Sequence, residues 1–230
     1  MKSTNSSYIQ YVFILIGVLE LSTHVFDLGD LHHFTKPLLM PVLILFFRRG
    51  LVTPLNSSFM FALLALIFSW IGDVALMYEK NDPMYFLIGL SGFSVAQILY
   101  IFSLKKARYN DETMISIKNQ LIYALPFVFS GGVLLWFLVP VAGELAYLLI
   151  IYSLLLLGMV ISAIVRMEQT NQSSFNQVFF GAILFMISDS LLGLNKFLLP
   201  IENAQLFILM TYMLAQWNIV NGLLKHFNEK

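Results

Sequence analysis

The sequence predicts an all-α protein, a polytopic bundle of eight transmembrane helices forming a single transmembrane domain over residues 1–230. Three observations carry this. The chain is 59% hydrophobic and only 11% charged, whereas soluble domains run near ~45–50% and ~25%. In water such a chain would have to expose large apolar patches. Its apolar residues form continuous runs, most reaching the ~20 residues that cross ~30 Å of hydrocarbon. Those runs lack the alternation of a transmembrane barrel, and helices then remain as the fold that satisfies every backbone group inside lipid.

The first run, 8–26, follows a short polar start and has no small-residue cleavage site after it, so it reads as a retained helix. The second, 31–47, is the shortest and carries Lys36 and Pro37, which predicts an irregular outer turn. The remaining runs are 58–78, 84–104, 119–138, 144–165, 175–197 and 203–225. The connections 48–57, 79–83, 105–118, 139–143, 166–174 and 198–202 are short and carry turn or polar residues, leaving no room for a soluble domain.

Charge orients the bundle. In an eight-span arrangement Lys2, Arg48, Arg49, Lys105, Lys106, Arg108, Lys118, Arg166, Lys225 and Lys230 fall on one side. Lys80 and Lys196 fall on the other, and the positive-inside rule places both termini in the cytoplasm. With no transit or retention signal, the bias suits a multi-pass protein of a bacterial inner membrane. Formal charge is zero and there is no basic tract, so no nucleic-acid partner is expected. The absence of cysteine excludes disulfides, thiolate nucleophiles and Cys-ligated metals. No P-loop, dinucleotide fingerprint, G-x-S-x-G elbow or H-E-x-x-H motif occurs, and no cofactor is expected. His24, His32 and His33 lie near the outer surface without zinc-site spacing, so no metal is expected either. His226, at the opposite end, reads as exposed.

Five ionisable residues lie in or at the edges of spans: Glu20, Lys36, Asp73, Asp189 and Lys196. A charge at midplane costs roughly 2.5–3.5 kcal/mol and is expected to face a polar interior and find a partner. Counted from the span ends, the first four fall at similar depth in the outer half of the bundle. Lys36 is the natural partner for Asp73 or Asp189, while Lys196 would snorkel to the outer headgroups. Interhelical polar glue is the bland alternative for Glu20 and Lys196. Asp73 and Asp189 each follow a small residue, Gly72 or Ser188, which lets a neighbouring helix approach. Ser190, Asn195 and Gln216 add polar groups around them. Two carboxylates in one dry cavity would divide into an acid and a base.

The chain also carries an internal echo. Phe68-Ser69-Trp70-Ile71-Gly72-Asp73 in the third run matches Phe185-Met186-Ile187-Ser188-Asp189 in the seventh, and Gln97 with Tyr100 in the fourth matches Tyr212 with Gln216 in the eighth. This fits a duplicated four-helix unit with repeats of the same orientation.

Four blocks then resemble a known family. They are Lys36-Pro37-Leu38-Leu39-Met40-Pro41; Ser69-Trp70-Ile71-Gly72-Asp73-Val74-Ala75-Leu76-Met77; the spaced set Phe86, Gly89, Leu90, Phe93, Gln97, Tyr100; and Gly181, Ala182, Phe185, Ser188-Asp189-Ser190, continued by Asn195-Lys196-Phe197. In order and spacing these are similar to the YhhN family of membrane proteins, whose animal members are lysoplasmalogenases. Family members usually carry histidine at the position of Gln97. The resemblance implies a hydrolase of the vinyl-ether bond of lysoplasmalogens, with a lysophospholipid substrate drawn from the membrane lipid. Asp73 and Asp189 would be catalytic, one protonating the alkene and the other activating water. Glu20, Lys36, Gln97, Tyr100, Ser188, Ser190, Asn195, Lys196, Tyr212 and Gln216 would bind or support. The residues alone admit two other readings: a transporter of a lipid-like or small amphipathic solute, since buried acids also serve ion relays, and a non-catalytic membrane interaction protein. Oligomeric state is not read from the sequence.

Overall fold

Polar residues at the ends of the apolar runs start the helices. Asn56, Ser116 and Asn171 each accept a hydrogen bond from the backbone N–H three residues on, at 2.8, 3.3 and 2.6 Å. Each bond satisfies one orphan donor of a first turn. The computed structural model describes residues 2–26, 28–109 and 115–229. Among them lie eight α-helices: α1 (Lys2–Val25), α2 (Gly29–Gly50), α3 (Ser57–Met77), α4 (Pro83–Lys106), α5 (Ile117–Leu138), α6 (Ala146–Ile164), α7 (Gln172–Phe197) and α8 (Ala204–Asn228). Lys230, counted in the charge bias, lies outside the described residues. Two single 3-10 turns link α5 to α6, and Gly143 in that link has φ +56°, a left-handed conformation glycine adopts without penalty.

Seven of these helices, all but α2, are long and apolar enough to cross a membrane. That corrects the expectation of eight spans. α2 has 22 residues, enough for about 33 Å, so length is not the obstacle. Its composition is: His32, His33 and Lys36 near one end and Arg48 and Arg49 at the other dilute the apolar run. The expected irregular outer turn is also absent, because α2 is helical from Gly29 straight through Pro37 and Pro41.

The proline at position 41 has no N–H to give the carbonyl four residues back, which belongs to Pro37. The Trp70 indole of α3 supplies the missing donor, its Nε1–H reaching the Pro37 carbonyl at 2.8 Å. An orphan created in one helix is thus satisfied by the next.

The chain divides into two compact units, residues 1–103 with 227–230, and residues 104–226. In the first, Phe47, Phe59 and Phe227 form an aromatic cluster, Phe47 stacking on Phe59 at 4.3 Å between centroids. Asn228 accepts from the Val52 N–H and donates to the Gly50 carbonyl, closing the end of α2. α3 and α4 run close together. A Cβ on Gly92 would stand 3.1 Å from the Phe68 carbonyl oxygen and 3.2 Å from the Gly72 nitrogen. At the other end of the same pair, Ser58 and Ser103 each donate to the other's carbonyl at 2.8 Å.

The second unit repeats this device between α7 and α8. A Cβ on Gly181 would meet the Ala215 carbonyl oxygen at 2.8 Å, and Ser174 Oγ donates to the Gly222 carbonyl at 2.6 Å. Arg166, fully buried just beyond α6, donates to the Ala107 carbonyl at 2.9 Å and to Ser174 Oγ at 2.8 Å. Burial pushes its guanidinium down, to about 9, and the nearby Tyr109 works the other way. His226 is also buried, against expectation. It stacks on Tyr109 at 5.0 Å and shares a 2.8 Å hydrogen bond with Thr170. The α6–α7 connection folds over the end of α8, which position along the chain does not reveal.

Candidate functional site

Within the first unit, the Trp70–Pro37 bond fixes the depth of α2 against α3. Lys36 and Asp73, one and three residues from that contact, lie within about one turn of the same level. Asp73 is buried and Lys36 half-buried. Lys36 forms no ion pair among the described residues. Glu20, fully buried on α1, instead turns to α2. Its carboxylate accepts from Thr35 Oγ1 through one oxygen, while the other lies 2.7 Å from His32 Nδ1 and 3.4 Å from His24 Nε2. The sequence places Glu20 and His24 four residues apart on one helix face, but their union with His32 and Thr35 depends on the α1–α2 turn.

The α3–α4 register separates two other candidates from Asp73. Gly92 stands against Phe68 and Ser103 against Ser58, so paired positions sum to about 160 and Gln97 faces the neighbourhood of Leu64. It is therefore about nine residues from Asp73 along the axis, roughly 13 Å, with Tyr100 a turn further. Both are fully buried. Neither the amide nitrogen nor the amide oxygen of Gln97 has a hydrogen-bond partner among the described residues. Buried amides are ordinarily satisfied, so this side chain is set to receive a water or a ligand's polar group.

In the second unit the Tyr152 hydroxyl of α6 donates a short hydrogen bond to Asp189 Oδ2. The sequence does not reveal that Tyr152 meets Asp189, because a tyrosine in an apolar run carries no signal of its partner. Ser188 Oγ donates to the Ile208 carbonyl of α8 at 2.9 Å, and Ser190 Oγ to the Met186 carbonyl of its own helix at 2.7 Å. Asn195 Oδ1 accepts from the Ile201 N–H at 2.9 Å and holds the α7–α8 turn, and Lys196 is exposed beside it. Gln216 Nε2 donates to the Tyr212 hydroxyl at 3.3 Å, and Tyr212 packs edge-on against Phe185 at 5.6 Å. With Gly181 against Ala215 and Ser188 against Ile208, Gln216 lies about nine residues along the axis from Asp189, roughly 13 Å. Each unit thus carries an aspartate and a buried glutamine at nearly the same axial separation, which is the echo seen in the sequence.

An apolar groove lies over α3 and α4, lined by Trp70, Ile71, Val74, Tyr78, Tyr85 and Ile88 among others. Asp73 is not in its lining.

Comparison with known proteins follows the same residues. The chain is 32% identical over 152 residues to lysoplasmalogenase TMEM86B of Sus scrofa, covering 66% of this chain and 58% of that protein. It is 29% identical over 157 residues to lysoplasmalogenase TMEM86A of Homo sapiens, covering 66% of this chain and 60% of that protein. The chain therefore matches somewhat under two thirds of the length of these relatives. No solved structure matches it. The model of the YhhN family matches residues 31–223, a stretch containing Lys36, both aspartates and both glutamines but beginning after Glu20 and His24. The chain belongs to the YhhN family.

Proposed function

We propose that this protein is an integral-membrane hydrolase that cleaves the vinyl-ether bond of lysoplasmalogens, releasing a fatty aldehyde and a glycerophospho-alcohol. The observation that carries this reading is the family match over residues 31–223, together with relatives named as lysoplasmalogenases. In the reaction a proton is delivered to the alkene carbon distal to oxygen. This leaves an oxocarbenium ion, to which water adds. The resulting hemiacetal loses the alcohol, and one water is consumed overall.

Asp73 and Asp189 are the proposed acid and base. Because Tyr152 donates to Asp189, we assign Asp189 to the acceptor role, stabilising the cation and taking the proton of the attacking water. Asp73 then delivers the proton to carbon. Lys36, half-buried within about a turn of Asp73, takes the substrate phosphate. Gln97, whose amide has no hydrogen-bond partner among the described residues, holds a water by hydrogen bonding, a role that needs no proton transfer of its own.

The test is turnover by purified protein in detergent supplied with lysoplasmalogen. Aldehyde release by the native chain, abolished in Asp73→Asn and Asp189→Asn variants that remain folded, is the expected result. Absence of release by the native chain across a range of pH would sink the reading.

A further inference from the structure

We propose that Glu20, His24 and His32 form a binding site for a divalent transition-metal ion of the zinc type, which staples α1 to α2. One ligand atom from each of the three lies within 4.8 Å of the other two. They are the Glu20 carboxylate, His24 Nε2 and His32 Nδ1. A tetrahedral ion about 2.0–2.1 Å from each donor sets the donors about 3.3–3.4 Å apart. The His24–Glu20 separation, 3.4 Å, already matches, and the His32–Glu20 separation of 2.7 Å has to open by well under an ångström. Two imidazoles and a carboxylate are a donor set zinc accepts, leaving a fourth position for a water or another oxygen ligand.

The surroundings favour a built site over a chance meeting of polar groups. Glu20 is fully buried, and its second oxygen is oriented by the Thr35 hydroxyl, the kind of outer contact that fixes a metal-binding carboxylate. The two imidazoles meet edge to face with centroids 5.1 Å apart. Their side chains are 22% and 20% exposed, which gives an ion a way in. All the donors lie in one unit, on two consecutive helices. Their positions suit a staple where α1 lies against α2, since only 22% of the α1 spanning segment is buried. Glu20 and His24 precede the residues matched by the family model, and the site is distinct from the proposed acid and base.

The experiment uses the whole 230-residue chain in detergent, stripped with a chelator and titrated with Zn²⁺ against a chromophoric competitor, then with Co²⁺ followed by visible absorption. Expected are one equivalent of tight Zn²⁺, the absorption bands of low-coordinate Co²⁺, and a melting temperature that rises on Zn²⁺ addition. His24→Ala, His32→Ala and Glu20→Gln should each lose the tight site and the shift, whereas His33→Ala should keep both. The two histidine variants alter partly exposed positions and carry the test even where Glu20→Gln fails to fold. A native protein without saturable Zn²⁺ binding, or binding unchanged in His24→Ala and His32→Ala, overturns the proposal. Aldehyde release plays no part in these readouts, so they stand or fall separately from the hydrolase reading.

Discussion

Replacing Trp70 with phenylalanine removes one hydrogen bond whose worth follows from the backbone it serves. The Pro37 carbonyl has no intrahelical donor, because the residue four positions on is Pro41, and the Trp70 indole reaches it at 2.8 Å. Within a bilayer no water stands ready to replace that donor. An orphaned polar group costs about 1–3 kcal/mol, and because Trp70 is partly exposed we expect Trp70→Phe to cost about 1–2 kcal/mol. The compensating change is Pro41→Ala, which restores an N–H aimed at the same carbonyl. In that background Trp70→Phe should cost about 1 kcal/mol less, leaving mainly the smaller ring. Reversible unfolding of the four proteins in mixed micelles, followed by circular dichroism, gives the coupling. Equal cost of Trp70→Phe in both backgrounds would mean that the indole does not stand in for the N–H missing at Pro41.

Three further outcomes follow from named contacts. Gly181→Ala drives a methyl to 2.8 Å from the Ala215 carbonyl oxygen and 3.0 Å from the Ile219 nitrogen; both are backbone atoms of α8, so the helices must part at about 1–3 kcal/mol, read as a lowered unfolding midpoint. Arg166→Met leaves the Ala107 carbonyl without its guanidinium donor and breaks the bond to Ser174, at about 2–3 kcal/mol in the same assay. Tyr152→Phe deprives Asp189 of its phenolic donor. Loss of a charge-assisted bond of about 1.5–3 kcal/mol corresponds to roughly ten- to a hundredfold lower kcat, and thermal melts should show the fold retained.

The helices were legible because apolar run length speaks directly to bilayer thickness. The run 84–104 became Pro83–Lys106, and 175–197 became Gln172–Phe197, the extra residues being polar ends such as the turn capped by Asn171. The division after Ser103 was legible only through the echo of Asp73 and Gln97 in Asp189 and Gln216, and the contacts add a second echo. Asn56 caps the turn in which Ser58 bonds across to α4, and Asn171 caps the turn in which Ser174 bonds across to α8.

What stayed hidden depends on helix-to-helix register. Glu20 and His24 show their helical spacing in the sequence, but the join to His32 and Thr35 requires the α1–α2 turn to place position 20 against positions 32 and 35. Tyr152 meets Asp189 from a helix 37 residues away, with no local pattern to announce it. His226 looked exposed because chain ends usually are, and only the folded α6–α7 connection buries it. α2 passed as a span because its centre is apolar, while its charged and histidine-bearing ends weigh against it.

The proposed reaction adds water across a vinyl ether after a proton is given to carbon, and turnover of lysoplasmalogen by the purified protein in D2O tests it. The expected product is an aldehyde carrying one deuterium on the carbon next to the carbonyl, formed by the native chain and not by Asp73→Asn or Asp189→Asn. Release of an aldehyde without that deuterium, no aldehyde at all, or undiminished labelled product from either variant would contradict it.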